Sequence, residues 1–254
     1  MPNVLVCVKR VPAPGASIVL TPDELAIDTQ FLGFTVSPHE ECAVEEAVRM
    51  VEASGGRSTV LALGPEDADE QLRTALAMGV DDAVLIEAEE EWDPFATADA
   101  IARAVRDLEA DGEPFDIVLF GNESADAGNY QVGVRVAHAL GRPIAAGIKA
   151  IDVGPDGCTV RRGTGDGFDV IGLPGQVVLA VKEGINLPRY PTMRGRLRAA
   201  KAEIRRLRYD RVDGGLTTKR LHHPEQEITE TVMLGTGADA VPRIMEILEE
   251  VGLL

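Results

Sequence analysis

Four short apolar runs, at residues 4–8, 59–63, 83–86 and 115–120, alternate with segments whose apolar residues recur at helical spacing. No other feature restricts the fold so strongly. Runs of this length read as strands buried on both faces, and a strand–helix unit repeated four times implies a parallel sheet with helices on its faces. The boundaries carry their own signals. The first run ends at Lys9-Arg10, a Pro/Gly-rich turn follows at 11–15, and residues 17–34 alternate weakly, as a small hairpin would. Ser37-Pro38-His39-Glu40 opens the first helix: Ser37 can cap it, Pro38 suits its first turn and Glu40 completes a capping box. Ala43, Val44, Ala47, Val48 and Val51 carry the helix to Gly55-Gly56. Gly64-Pro65 closes the second strand, and Gly79 caps the helix built on Leu72, Ala75, Leu76 and Met78. Residues 94–108 form the third helix, and the fourth runs from about Tyr130 to Leu140. The expected fold is α/β, a doubly wound, mostly parallel sheet.

Beyond Pro143 the texture changes. Residues 148–153, 159–162, 170–171 and 177–181 are short apolar or alternating pieces broken by glycines, read as further strands with a hairpin near 154–157. From Arg211 to residue 239 structural signals are sparse. Val241, Ile244, Ile247, Leu248 and Val251 then mark a last amphipathic helix at 240–251. The expected division is an α/β domain over 1–210 and a C-terminal arm over 211–254 that needs another surface to lie on.

Charge is distributed unevenly. The chain has 42 acidic and 25 basic residues in 254, a net charge of −17. The acids gather in surface-like runs such as Glu66-Asp67-Ala68-Asp69-Glu70 and Glu87-Ala88-Glu89-Glu90-Glu91-Trp92-Asp93. They form either the solubilising coat of a salt-adapted protein or a surface for a specific partner. The overall sign argues against nucleic acid as the main partner. Against this background, residues 189–211 hold nine Lys/Arg and only Glu203 and Asp210 as acids. Leu187-Pro188-Arg189-Tyr190-Pro191 leads into them, its two prolines fixing φ and suppressing helix. The segment reads as a stiff loop and basic helix presented to a partner, or as a solvated or subunit-contact face. No run approaches the roughly 18 apolar residues of a membrane span, so direct membrane insertion is not expected. The N-terminus opens straight into a core strand rather than a secretion signal. Cys7, Cys42 and Cys158 lack the spacing of a disulfide framework or zinc site, which suits a reducing cytoplasm.

Ligands of open α/β sheets sit outside the carboxyl ends of the strands, and three loops lie there: 8–15, 63–67 and 121–132. The richest reads Gly121-Asn122-Glu123-Ser124-Ala125-Asp126-Ala127-Gly128-Asn129 and runs on through Tyr130, Gln131 and Val132. It feeds a helix whose first N–H groups could seat a phosphate, although an ordinary capped loop would look the same. It matches neither Gly-x-Gly-x-x-Gly nor a P-loop. Of the histidines, His138 falls within an apolar helix and reads as structural. His222-His223 has no ligand partner at metal spacing. There is no serine elbow, and Cys7 lies in a strand. No catalytic residue is assigned, and the chain reads as a binder rather than a stand-alone catalyst.

Four segments, taken together, resemble the small (beta) subunit of electron transfer flavoproteins. They are Val8-Lys9-Arg10-Val11, Glu41-Cys42-Ala43-Val44-Glu45-Glu46-Ala47-Val48-Arg49, Arg73-Thr74-Ala75-Leu76-Ala77-Met78-Gly79, and Asn186-Leu187-Pro188-Arg189-Tyr190-Pro191-Thr192-Met193. The resemblance implies a Rossmann-like adenine-nucleotide-binding fold and an electron carrier rather than an enzyme with its own substrate. It implies a heterodimer with an alpha subunit that holds most of a shared FAD, approached from this side by residues 11–14 and His39. An AMP, or a second FAD in electron-bifurcating relatives, would lie against Cys7, Ser37, Pro38, His39, Glu40, Leu63 and the stretch from Gly121 to Val132. Residues 182–200 would be a recognition loop, with Leu187, Arg189, Tyr190 and Met193 meeting acyl-CoA-type dehydrogenases of fatty acid oxidation. A membrane quinone oxidoreductase would take the electrons onward. Met193 stands where relatives carry an anchoring leucine, Arg194 where they tend to have proline, and Asp126–Gly133 is intermediate between the AMP and second-flavin patterns. A stand-alone adenine-nucleotide protein of the universal-stress type is the competing reading.

Overall fold

The computed structural model describes residues 1–112, 114–224 and 231–254, which divide into two units, Met1–Lys219 and Arg220–Leu254. The first unit begins with β1 (Asn3–Val8), the short ribbon β2 (Val11–Pro12) and β3 (Phe34–Thr35), and α1 (Pro38–Ser54). Then come β4 (Arg57–Gly64), α2 (Asp69–Met78), β5 (Asp82–Glu87), α3 (Pro94–Asp111), β6 (Ile117–Gly121) and α4 (Val132–Leu140). The antiparallel pieces β7 (Ile144–Gly154), β8 (Gly157–Gly163) and β9 (Phe168–Pro174) follow, then β10 (Val177–Val181), α5 (Met193–Lys201) and β11 (Ile204–Leu207). The second unit contains α6 (Val241–Glu250).

One nine-stranded sheet runs β11-β5-β4-β1-β6-β10-β7-β8-β9. It is parallel from β11 to β7 and antiparallel across β7, β8 and β9. The expected α/β, doubly wound, mostly parallel sheet is therefore present. Alternation along β1 shows why both faces are apolar. Val4, Val6 and Val8 join the core beneath α1 and α2, whereas Leu5 and Cys7 join the core beneath α3 and α4. All five are at most 6% exposed, as a central parallel strand requires.

The basic segment departs from its expected shape. Its helix is only nine residues long and ends at Lys201. Ile204-Arg205-Arg206-Leu207 is a strand in parallel register with Ala83–Ile86 of β5. Its arginines find acids on neighbouring elements: Arg205 meets Asp111 at 2.6 Å and Arg206 meets Asp69 at 2.7 Å. Arg208 pairs with Glu87, and Arg211 lies 3.7 Å from Asp93. Much of the island thus fastens one sheet edge. The loop before it is equally anchored, since Arg189 forks onto Glu45 and Glu52 of α1. The fourth helix starts at Val132, two residues later than its pattern suggests, because Tyr130 takes a left-handed φ of 55°.

Candidate functional site

Sheet order reverses direction between β1 and β6: the chain builds outward through β4 and β5, then returns to the other side of β1. Loops leaving the two central strands diverge there and open a crevice. A cavity of about 380 Å³ occupies it, lined by Cys7, Leu61 and Phe120 at the strand ends and by Trp92, Thr97 and Ile101 of the α3 wall. Glycines set its shape. A Cβ on Gly121 would stand 2.6 Å from Cγ of Glu40, so only glycine lets β6 end this close to α1. Tyr130 in the left-handed region costs on the order of 1 kcal/mol, and its hydroxyl bonds Glu123. Ala125 donates its N–H to the Ser37 hydroxyl at 3.0 Å, and Gly147 donates to the Asn122 side chain at 2.8 Å. The 121–132 loop is thereby tied to α1 on one side and β7 on the other.

Glu40 is the most perturbed acid of the site. Its carboxyl accepts from the backbone N–H groups of Lys9 and Ser37 and from the Ser37 hydroxyl, but burial outweighs these bonds and pushes its pKa up to about 8. The reach back to Ser37, at 3.3 Å, is the glutamate half of the expected capping box. Burial, with the Glu40 charge adding to it, drives the Cys7 thiol far above its ordinary range, so Cys7 is no nucleophile. Lys9 Nζ lies 2.6 Å from both Glu91 and Asp126. Burial would lower its pKa, but the two carboxylates prevail and raise it. For Asp126, burial acts upward and is overcome by Lys9, leaving the acid below its usual value. Arg10 lies 3.2 Å over the Phe34 ring and 3.7 Å from Asp67. Burial lowers its pKa against the opposing pull of Asp67 and Glu70. His39 accepts the Glu183 N–H at Nδ1 (2.7 Å) and turns Nε2 toward Glu123 (3.3 Å). An acceptor at Nδ1 leaves the neutral ring's proton on Nε2.

Of the residues singled out from sequence, Cys7, Glu40, Leu63, Gly121, Asn122, Glu123, Ser124, Asp126, Asn129, Tyr130, Gln131 and Val132 all line the cavity. Ser37, Pro38, His39, Ala125, Ala127 and Gly128 do not. Ser37 and His39 instead brace the loop from behind through Ala125 and Glu123. Lys9 and Arg10, within the strand-end loop 8–15, also line it, whereas sequence reasoning missed Phe34, Trp92 and the acids Glu89, Glu90 and Glu91. The acidic run follows β5 directly, so the strand-end rule that selected the other loops would have found it. Among the described residues no group of His, Cys, Asp and Glu is arranged to hold a metal ion. The arrangement can hold a small ligand against the apolar strand ends and the 121–132 loop.

The second candidate surface lies on the loop before α5. Leu187 and Tyr190 are 91% and 92% exposed, and Met193 is 74% exposed. Arg189 faces the other way and holds the loop to α1. Thr192 caps α5 by accepting the Gly195 N–H at 3.0 Å. Arg73 and Arg198 bond carbonyls across the α2–α5 contact, so a rigid base carries three exposed apolar side chains.

Residues 24–211 match the sequence profile described as "Electron transfer flavoprotein domain". "Electron transfer flavoprotein subunit beta" of Thermoanaerobacterium thermosaccharolyticum is 32% identical over 211 residues, covering 82% of this chain and 79% of the relative. The protein of the same description from Bacillus subtilis is 31% identical over 214 residues, covering 83% and 80%. That from Syntrophomonas wolfei is 35% identical over 205 residues, covering 80% and 78%. A profile spanning most of the sheet and the α5 loop, with such relatives over four-fifths of the chain, places this protein in the electron transfer flavoprotein family as a beta subunit.

Proposed function

We propose that this subunit pairs with an alpha subunit to form a two-chain electron carrier. It would hold an adenine nucleotide in the crevice between β1 and β6 and present the α5 loop to electron donors. The observation that carries the reading is the cavity itself, at the switch point of a sheet whose glycines bring the 121–132 backbone close to its contents. Amides at the start of α4 lack intrahelical partners and favour a phosphate there. AMP is the preferred occupant and a second FAD, as in electron-bifurcating relatives, the alternative. Tyr130 lines the cavity and, in place of a small residue, would crowd a second isoalloxazine, which favours AMP.

The shared FAD, held mainly by the alpha subunit, would supply the one- and two-electron chemistry when bound. On this side His39 and residues 11–14 would adjoin it, with His39 oriented by Glu183 and Glu123. Leu187, Tyr190 and Met193 would enter a pocket of acyl-CoA-type dehydrogenases in fatty acid oxidation, and methionine suits several such pockets. A quinone oxidoreductase of the membrane would be the acceptor. Residues 1–210 would form the nucleotide-binding domain with its recognition loop at 182–200. The arm at 211–254, with the apolar repeat of α6, would pack on the alpha subunit. The acidic composition fits a salt-adapted, cytoplasmic setting; among the described residues no helix is long and apolar enough to cross a membrane.

Denaturing the purified complex and weighing the released nucleotides tests the reading. One FAD and one AMP are expected, and two FAD would establish the bifurcating alternative. A colourless homodimer releasing ATP would instead support a stress-type nucleotide protein and sink the carrier assignment.

A further inference from the structure

Charge around the cavity is lopsided. Lys9 and Arg10 are the cations that line it, against the carboxylates Glu89, Glu90, Glu91, Glu123 and Asp126. Both cations already lie beside carboxylates, although Arg10 Nε has no hydrogen-bond partner. Lys9 is held by Glu91 and Asp126, and Arg10 is stacked on Phe34 with Asp67 beside it. Glu89 and Glu90 are exposed and have no hydrogen bond or ion pair within the described residues. A phosphate entering the cavity therefore meets an excess of carboxylates over the two lining cations, both of which already lie beside acids. Its attraction is to backbone amides at the start of α4, worth about half a positive charge. Its repulsion comes from the acidic mouth, and low-dielectric walls focus that field.

We propose that this mouth selects nucleotides by charge, admitting adenosine and AMP and rejecting ADP and ATP, with Glu89 and Glu90 as the selecting residues. The inference rests on the reading of the cavity as an adenine-nucleotide site. Each further phosphate adds negative charge, and the two lining cations are already outnumbered by carboxylates. A dinucleotide such as FAD carries its pyrophosphate internally, with one charge per phosphate, so the filter acts on terminal polyphosphates and leaves AMP and FAD both admissible. Screening must relax the filter, since the Debye length falls from about 10 Å at 0.1 M salt to about 3 Å at 1 M. A filter based on size would not respond to salt.

The test is displacement of labelled AMP from the purified complex by adenosine, AMP, ADP and ATP. It is run in 0.1 M and 2 M KCl with EDTA present, and circular dichroism confirms the fold at each salt. At 0.1 M, AMP should outcompete ATP by on the order of tenfold or more, and at 2 M the two should converge to within about twofold. Glu89→Gln/Glu90→Gln should narrow the gap at 0.1 M while leaving adenosine unchanged. ATP competing as well as AMP at low salt would overturn the proposal. So would an AMP preference that survives both 2 M KCl and the double substitution, which would indicate steric exclusion. Failure of adenosine and AMP alike to bind at either salt would instead overturn the nucleotide-site reading beneath it.

Discussion

Glu40 concentrates the tension of the site in one side chain. It closes the start of α1, fills the space that Gly121 leaves open and lines the cavity, yet it is only 7% exposed. With a folded-state pKa of about 8 against an ordinary 4.5, the folded protein binds a proton that the unfolded chain has already released between those values. The Glu40 contribution to stability therefore declines as pH rises from about 4.5 to about 8 and is flat on either side of that window. Glu40→Gln should remove this decline, making the variant relatively more stable at pH 8.5 than at pH 5.5 by on the order of a few kcal/mol. Urea unfolding of both proteins at the two pH values measures it; parallel pH profiles would refute the assignment. Arg189 sets a second balance. Its two carboxylate partners differ, Glu45 having a side chain only 6% exposed and Glu52 one that is 58% exposed. Losing the guanidinium would strand the buried Glu45 while mattering little to Glu52. Arg189→Ala should destabilise by about 2 kcal/mol, with most of the loss recovered in a Glu45→Gln background. A double-mutant cycle by chemical denaturation reads this directly.

At the scale of elements, α5 and its loop separate support from display. Gly195 packs so near the Ala77 carbonyl that any side chain there would collide with it, and Arg198 bonds the Leu76 and Val80 carbonyls at 2.6 and 3.2 Å. Met193 contributes little to this contact. Met193→Ala should lower the rate of electron transfer from an acyl-CoA-type dehydrogenase by roughly tenfold, about 1.4 kcal/mol in transition-state terms, while thermal stability and flavin content stay unchanged. An unaltered dehydrogenase-coupled rate would remove Met193 from the docking surface. The elements that sequence reveals are those whose signals are local. Strands β1, β4, β5 and β6 are apolar runs, and α1 announces itself through Ser37, Pro38 and Glu40. By contrast β11 escapes notice because Ile204-Arg205-Arg206-Leu207 reads as the continuation of a basic helix. What makes it a strand is its register with β5 and the carboxylates Asp111, Asp69 and Glu87, all distant in sequence. The same holds for the cavity. Its glycine-rich loop is legible at the end of β6, but the roles of Lys9 and the 89–91 acids depend on Asp126 lying opposite, which only the folded sheet arranges.

For the molecule as a whole, electrostatics oppose compactness. Ion pairs such as Arg205–Asp111 and Arg162–Asp169 are exposed and individually worth about 0–1 kcal/mol. Seventeen uncompensated negative charges repel across the entire surface. Salt weakens both, and the repulsion is the larger quantity, so the melting temperature should rise by several degrees between 0.1 and 2 M KCl. Scanning calorimetry on the complex tests this, and a flat or falling trend would mean that the ion pairs dominate. Topology carries a different implication. β10 lies between β6 and β7, although it follows β7, β8 and β9 in the chain. During synthesis the three antiparallel strands leave the ribosome before the strand that joins them to the sheet exists. They must wait as a free-standing meander beside an open β6 edge, and a chain cut short between residues 121 and 177 would yield a protein with that edge permanently bare and prone to aggregate.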